Sequence, residues 1–410
     1  MRLRQTSYRI VLGVGLLVGG AGPASAKSTP GEELIKAAKK GDAGRVRQLL
    51  TDGVDVNMRD KGQRTALLHA AREGHLPVVN VLLSARPDLD ARDPDGNTAL
   101  MEAAKRQEPQ PAVDLIAAGA DVNLRDKNGW TALMEAAKHG TLAVARELIR
   151  KKADLDVRTS DGRSALTLAV ERGTTALVEA LIDAGVNVRD PEIGGRALML
   201  AAEAGNTDIV TRLMNARAPL GYSSWEGETP LHAASARGQD RVVDVLLRAG
   251  VDPDLADANG QTALMKAAAG GHETVVESLI RAGATIDRTD REGWTALMHA
   301  ASHSSYGAAG SIRHLVRAGA GLEKRAGANG RTPLMIAAEK GNEGAVDALV
   351  RAGAALDAKH NGKTALDLAL AGGHKRCAEK LGYNSKEEKI KQQEKEREKA
   401  RPRTSSLRRN

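Results

Sequence analysis

The sequence predicts an all-α chain of short paired helices, stacked on one another as a single array. Three observations carry this. The hexapeptide Gly-Trp-Thr-Ala-Leu-Met occurs at 129–134 and again at 293–298, 164 positions apart. A helix-start residue recurs through the chain, at Thr65, Thr98, Thr131, Ser164, Arg196, Thr229, Thr262, Thr295, Thr332 and Thr364. Its spacings are 33, 33, 33, 32, 33, 33, 33, 37 and 32 residues. The 410 residues include no Phe, and aromatics make up 2%. A core restricted to Leu, Val, Ile, Met and Ala suits thin regular layers better than one large globule.

Each unit repeats the same reasoning, and 129–162 serves as the example. Thr131 is an N-cap, its hydroxyl free to accept from an early backbone N–H. Leu133, Met134, Ala136 and Ala137 follow as one apolar face at helical spacing. Gly140 supplies the left-handed residue that ends a short helix. A second short helix carries Val144, Leu148 and Ile149, and Asp161-Gly162 then gives the turn signal of a hairpin. Each helix is shorter than the ~12–15 residues that persist alone in water, so only stacking on neighbours buries these faces. Counted from Leu34-Ile35-Lys36-Ala37-Ala38, there are eleven units.

The stretch GETPLHAASARGQDRVVDVLLRAGVDPDLADANG at 227–260 carries Thr229-Pro230-Leu231-His232. On these residues the chain resembles the ankyrin-repeat family over about 31–383. The resemblance implies a solenoid of about eleven helix-turn-helix units, with β-hairpin fingers between repeats and a concave recognition surface. It also implies a protein that binds other proteins and is not an enzyme. Most units put Met at the signature His position (Met101, Met134, Met265, Met298, Met335), keeping an apolar filler but losing a hydrogen bond.

The ends differ from the body. Residues 1–26 run from Arg2, Arg4 and Arg9 through an apolar stretch at 10–22 to Ala24-Ser25-Ala26, the order of a secretory signal peptide cleaved after Ala26. The 13-residue apolar stretch is shorter than the ~20 residues that span a bilayer. Residues 27–30 read as a linker. Residues 31–62 and 363–383 read as caps, with Lys36, Lys39, Arg45 and Arg47 turned outward on the first and Lys375 and Arg376 on the last. The tail 384–410 holds ten Lys/Arg and five Glu with no apolar face, and reads as disordered or a solvated helix. Leader and tail account for the whole net charge of +8, so the body between them is neutral. A neutral body offers no general field for nucleic acid. The expectation is an exported monomer, in the periplasm or cell envelope or secreted, whose tail makes at most weak contact with an anionic surface.

Three departures stand out. Gln107, Pro109 and Pro111 stiffen one turn. Arg196 stands where a Thr cap belongs, and its unit ends in the unusual APLGYSSWEG finger. The ninth unit carries SHSSYGAAGS at 302–311, read as residues inserted between its two helices.

No catalytic residue, cofactor or metal is expected. Cys377 takes a Val position and reads as a buried structural thiol. His75, His272 and His374 follow a turn glycine and read as structural. His299 and His303, four apart on one short helix, have metal-ligand spacing but no further ligand beside them. The carboxylates Asp121, Asp126 and Asp257 lie in finger turns, where turn chemistry explains them. The aromatics are different. Trp130, Tyr222, Trp225, Trp294 and Tyr306 all lie away from the recurring core positions. By the resemblance, Trp130 and Trp294 sit on the concave surface, between the turn Gly and the Thr cap. The slot they fill holds Asn97, Arg163, Glu228, Gln261, Arg331 and Lys363 in other units, so the core does not dictate it. Tryptophan and tyrosine are enriched among interface anchors, and these five residues are the candidate partner-binding set. Packing of each indole on a neighbouring finger is the competing explanation. The expected activity is binding of a protein partner. Inhibition or protection of an envelope enzyme or toxin is one alternative, and a metal enzyme at His299/His303 is another.

Overall fold

The computed structural model describes residues 28–304, 306–327 and 330–384. The leader 1–26 and the tail from 385 onward lie outside these residues. Among the described residues are twenty-two α-helices in eleven consecutive pairs, from Pro30–Lys40 to Lys375–Lys380. The first helices of successive pairs pack on one another in one layer, and the second helices form the other. One buried apolar cluster runs through the layers from Leu34 to Leu381. No described helix is long and apolar enough to cross a membrane.

Local chemistry starts and stops these helices as the sequence dictates. Thr131 Oγ1 accepts from Met134 N at 3.2 Å, and Thr65, Thr98, Thr262, Thr295 and Thr332 cap their helices in the same way. Ser164 makes a reciprocal capping box with Thr167. The first helix begins at Pro30, with Thr29 and Glu32 forming another box. Lys36, Lys39, Arg45, Arg47, Lys375 and Arg376 are exposed on the terminal pairs.

The fingers are turns rather than ladders. Among the described residues there is no named strand, only the isolated bridges Arg59–Thr65, Ala256–Thr262 and His360–Lys363. Most fingers close within five residues, as in Asp126 N to Trp130 O at 2.9 Å and Gly129 N to Asp126 O at 3.1 Å, and Ala326 N to Arg331 O closes one of six. So short a loop leaves no length for paired strands. Successive fingers are tied tip to tip by single backbone bonds: Lys127 N to Asp95 O, Ala258 N to Glu226 O and Arg291 N to Asn259 O.

Two departures resolve differently from the sequence expectation. Before the sixth unit no finger forms. Pro191–Gly195 is a single π-helical turn that runs straight into Arg196–Ala204. Asp190 caps it, accepting from Glu192 N and Ile193 N, and Gly195 enters the helix with helical dihedrals. Arg196 therefore needs no hydroxyl, and its Nη1 donates to Asp161 O at 2.7 Å instead. In the ninth unit the extra residues do not all lie between the helices. They lengthen the second helix, Tyr306–Arg317, to 12 residues against nine in most other units. A Cβ on Gly307 would overlap Gly271 O, so only glycine lets this added turn lie on the preceding unit.

The second helices mostly end on a glycine at positive φ, such as Gly119 and Gly185, where an added Cβ would meet nothing within 4 Å. Lys152 holds the same place at φ 61. Its penalty is therefore one of backbone conformation alone. Lys152→Gly is expected to stabilise the array by about 0.5–1 kcal/mol, the left-handed cost less the entropy of glycine. Denaturant unfolding checks this, and a lower midpoint in the variant would contradict it.

Candidate partner-binding face

The site grows from the finger carboxylate. Asp126 Oδ1 accepts from Asn128 N and Trp130 N, both at 2.8 Å. Asp93, Asp257 and Asp290 do the same for the second and fourth residues after them. Asp121 likewise accepts from Asn123 N at 2.8 Å. These groups are spent on the backbone as turn builders.

At Asp60, Asp257 and Asp290 the second oxygen faces the first helix, where the fourth residue after the Thr cap comes to meet it. His69 Nε2 lies 2.8 Å from Asp60, Lys266 Nζ 2.9 Å from Asp257 and 2.8 Å from Glu228, and His299 Nε2 2.9 Å from Asp290. The equivalent Glu102 and Glu135 instead share Lys105, at 2.8 and 3.7 Å. This row was not singled out from the sequence. Its signal was present in the units of His69, Glu102, Glu135, Lys266 and His299, an ionisable residue inside an apolar helix window, nine positions after a finger Asp.

Burial would raise these finger carboxyls, but their donors outweigh it. At Asp60 the Arg64 N–H, the His69 imidazole and the Lys39 ammonium bring the pKa down to about 2. Asp93 and Asp257 are held below the usual range against the same burial, by backbone N–H groups with Arg64 and Lys266 respectively. Glu135 lacks such donors, and burial raises it against the pull of Lys105. A carboxyl lowered in the folded state contributes stability that is complete above its unfolded value, near 3.9, and is lost as pH falls toward the folded one. Asp60, 20% exposed, accounts for about 1–2 kcal/mol after allowance for screening. Acid titration followed by circular dichroism should show the wild type losing stability between about pH 4 and 2, and Asp60→Asn should flatten that slope. Equal slopes would rule the finger carboxylate out.

Trp130, Trp294, Tyr222 and Trp225 lie at different depths. Trp130 and Trp294 are half-buried between finger and first helix and pack on the edge of the core. Lys138 Nζ stands 4.9 Å from the centroid of the Trp130 ring. Trp294 meets the His299 ring at 5.3 Å between centroids, tilted by 48°. Tyr222 is half-buried with its ring against Gly195, and burial raises its hydroxyl pKa. Trp225, at the tip of the same finger, is 91% exposed. Tyr306 opens the long helix of the ninth unit. Trp130 and Trp294 occupy equivalent slots five units apart and lie in separate surroundings. The structure thus brings Tyr222 and Trp225 into one finger and leaves the tryptophans of the repeated hexapeptide apart.

The family profile for ankyrin repeats, three copies long, matches residues 34–126, 107–192, 173–257, 233–321 and 305–393. The chain belongs to the ankyrin-repeat family. Its repeats are those of a protein–protein interaction module, in a family that is generally a non-enzymatic scaffold. No curated protein matches the chain.

The remaining candidates take their roles from the ankyrin frame. His232 bonds Thr229 Oγ1 at 2.8 Å and Gln261 O at 3.0 Å, joining its repeat to the next. His75, His272 and His374 each place Nε2 on a carbonyl at the end of the preceding first helix: Lys39, Ala236 and Glu339. His299 and His303 do not share a helix. Ala296–Ser302 ends before His303, whose φ of −94 and ψ of 127 are extended, so the four-residue spacing does not put both imidazoles on one face. No cluster of three or more potential metal ligands occurs among the described residues. Cys377 is 1% exposed, and burial pushes its thiol pKa up.

Proposed function

We propose that this ankyrin-repeat chain is exported and binds a protein partner through the concave face formed by its fingers and first helices. The observation that carries the reading is Trp225, a large side chain held almost wholly in solvent on a finger fixed by backbone bonds. Exposed aromatics of this kind anchor interfaces. Trp130 and Trp294 extend the face along the array. Export rests on the charge, apolar stretch and small-residue site at 1–26. The tail 384–410 adds contact with an anionic surface, a contact that weakens with salt. Restraint of an enzyme or toxin in the same compartment is one form the binding takes.

The test is capture from native envelope extract with the mature chain, beginning at Lys27, as bait. One discrete protein should be retained by wild type and lost with a Trp225 variant. Equal retention by both would remove the finger from the interface.

A further inference from the structure

The hexapeptide at 129–134 and its copy at 293–298 place two indoles in equivalent slots, but their surroundings differ, first at the position eight residues after each indole. Over Trp130 stands the ammonium of Lys138. The residue 164 positions on, which answers to Lys138, is Ser302. Its hydroxyl donates to His299 O at 2.8 Å, within its own helix. The neighbours repeat the contrast. The same position holds Lys39, Arg72, Lys105 and Lys138 in the first four units, and Ala236, Ala269 and Ser302 in the seventh to ninth. Among the described residues no cation stands over Trp294. Lys266, the nearest base on the preceding first helix, is pinned between Glu228 and Asp257.

The ground beside Trp294 has the chemistry of a cation site. Trp294 and His299 line a cleft of about 350 Å³ together with Asp290 and Glu292. Asp290 is occupied by His299 and by two backbone N–H groups. The Glu292 carboxylate makes no ion pair among the described residues, and it stands where the fourth unit has the neutral Asn128. Arg291 also lines the cleft. Its counterpart Lys127 coexists with Lys138 at the Trp130 copy, so a fingertip base does not bar a second cation from the ring.

We propose that the Trp294 cleft receives a lysine or arginine side chain of the protein partner. The incoming cation takes over Trp294 the place that Lys138 takes over Trp130, with Glu292 as its counter-charge. The repeat thus carries one copy of the site closed by its own lysine and one left open for a partner. This rests on the partner-binding reading and names the chemistry that reading would use.

The experiment follows the three indole N–H signals of the full chain by NMR, assigned by single Trp→Phe variants. The probes are the blocked tripeptide Gly-Lys-Gly, its arginine analogue and a norleucine control. The Trp294 signal should move saturably with the lysine and arginine peptides and bind norleucine about two- to fivefold more weakly. The Trp130 signal should stay still. Ser302→Lys should abolish the response at Trp294, and Lys138→Ser should create one at Trp130. A Trp294 signal that ignores charge, or that responds equally after Ser302→Lys, would overturn the proposal. If Ser302→Lys loses its helical signal, Lys138→Ser decides alone, and a Trp130 that stays unresponsive overturns it. The two levels separate cleanly. Lysine-selective binding with no protein captured from extract defeats the wider reading and leaves the cleft chemistry standing. A captured partner with a charge-blind Trp294 defeats the cleft alone.

Discussion

Gly194→Ala is expected to lower the stability of the array by roughly 3 kcal/mol, the upper range for forcing a group into filled space. A Cβ on Gly194 would overlap the carbonyl oxygen of Val188 and stand 2.6 Å from its carbon. The obstacle is backbone and cannot rotate away as a long side chain would. Val188 itself is buried and bonded to Val186 O at 2.7 Å. The next residue is equally confined, because a Cβ on Gly195 would lie 2.6 Å from Cβ of Tyr222. This π-turn therefore locks the fifth and sixth units together where no finger does so, and seats Tyr222 of the finger that follows. In a nearest-neighbour array, loss of one junction divides the chain into blocks. Denaturant unfolding should change from one transition to two in the variant. Gly221→Ala, where an added Cβ meets nothing within 4 Å, should behave as wild type. A Gly194→Ala protein that unfolds in one step at the wild-type midpoint would show that the turn relaxes at no cost.

That turn also marks where sequence reasoning stopped. The fold was legible because Thr131 and its equivalents must cap, Gly140 and its equivalents must end a helix, and neither demand depends on anything distant. The stretch Asp190 to Arg196 offers the same Pro and Gly signals as an ordinary loop. What makes it helical is the fit of Gly194 against Val188 and of Gly195 against Tyr222, which no local pattern contains. The ninth unit misleads for a related reason. Its 37-residue spacing reads as an insertion between the helices, and glycine weakens helices by about 1 kcal/mol. Packing on Gly271 outweighs that penalty and extends the helix. The imidazoles at 299 and 303 have the spacing of a helical pair, but the helix ends at Ser302. On the candidate face, the aromatic positions could be read from their place outside the core pattern. The pairing of finger Asp with the inner row of His69, Lys266 and His299 could not, because it is made between elements.

Trp225→Ala is expected to leave stability within about 0.5 kcal/mol of wild type while weakening partner binding by about 2 kcal/mol or more, roughly thirtyfold. The first half follows from what the finger uses to hold itself. Ser224 N donates to Glu228 O at 2.9 Å, Gly227 N to Ser224 O at 2.8 Å, and Ala258 N ties the tip to the next finger through Glu226 O at 2.8 Å. Ser224 Oγ accepts from Glu228 N at 3.2 Å. None of these bonds involves the Trp225 side chain, and at 91% exposure there is almost no burial to lose. The second half follows from size. An indole covers about 200 Å² when a partner closes over it, and rigid aromatics bring that area at little entropic loss. Trp130 should divide its effects the other way. Half-buried and already covered by Lys138, it has more stability to lose and less new surface to offer. Calorimetric titration of the captured partner into the variants, beside thermal melts of the same samples, separates the two quantities. Wild-type affinity in Trp225→Ala, with the loss falling on Trp130→Ala instead, would move the anchor off the fingertip and down to the floor between finger and first helix.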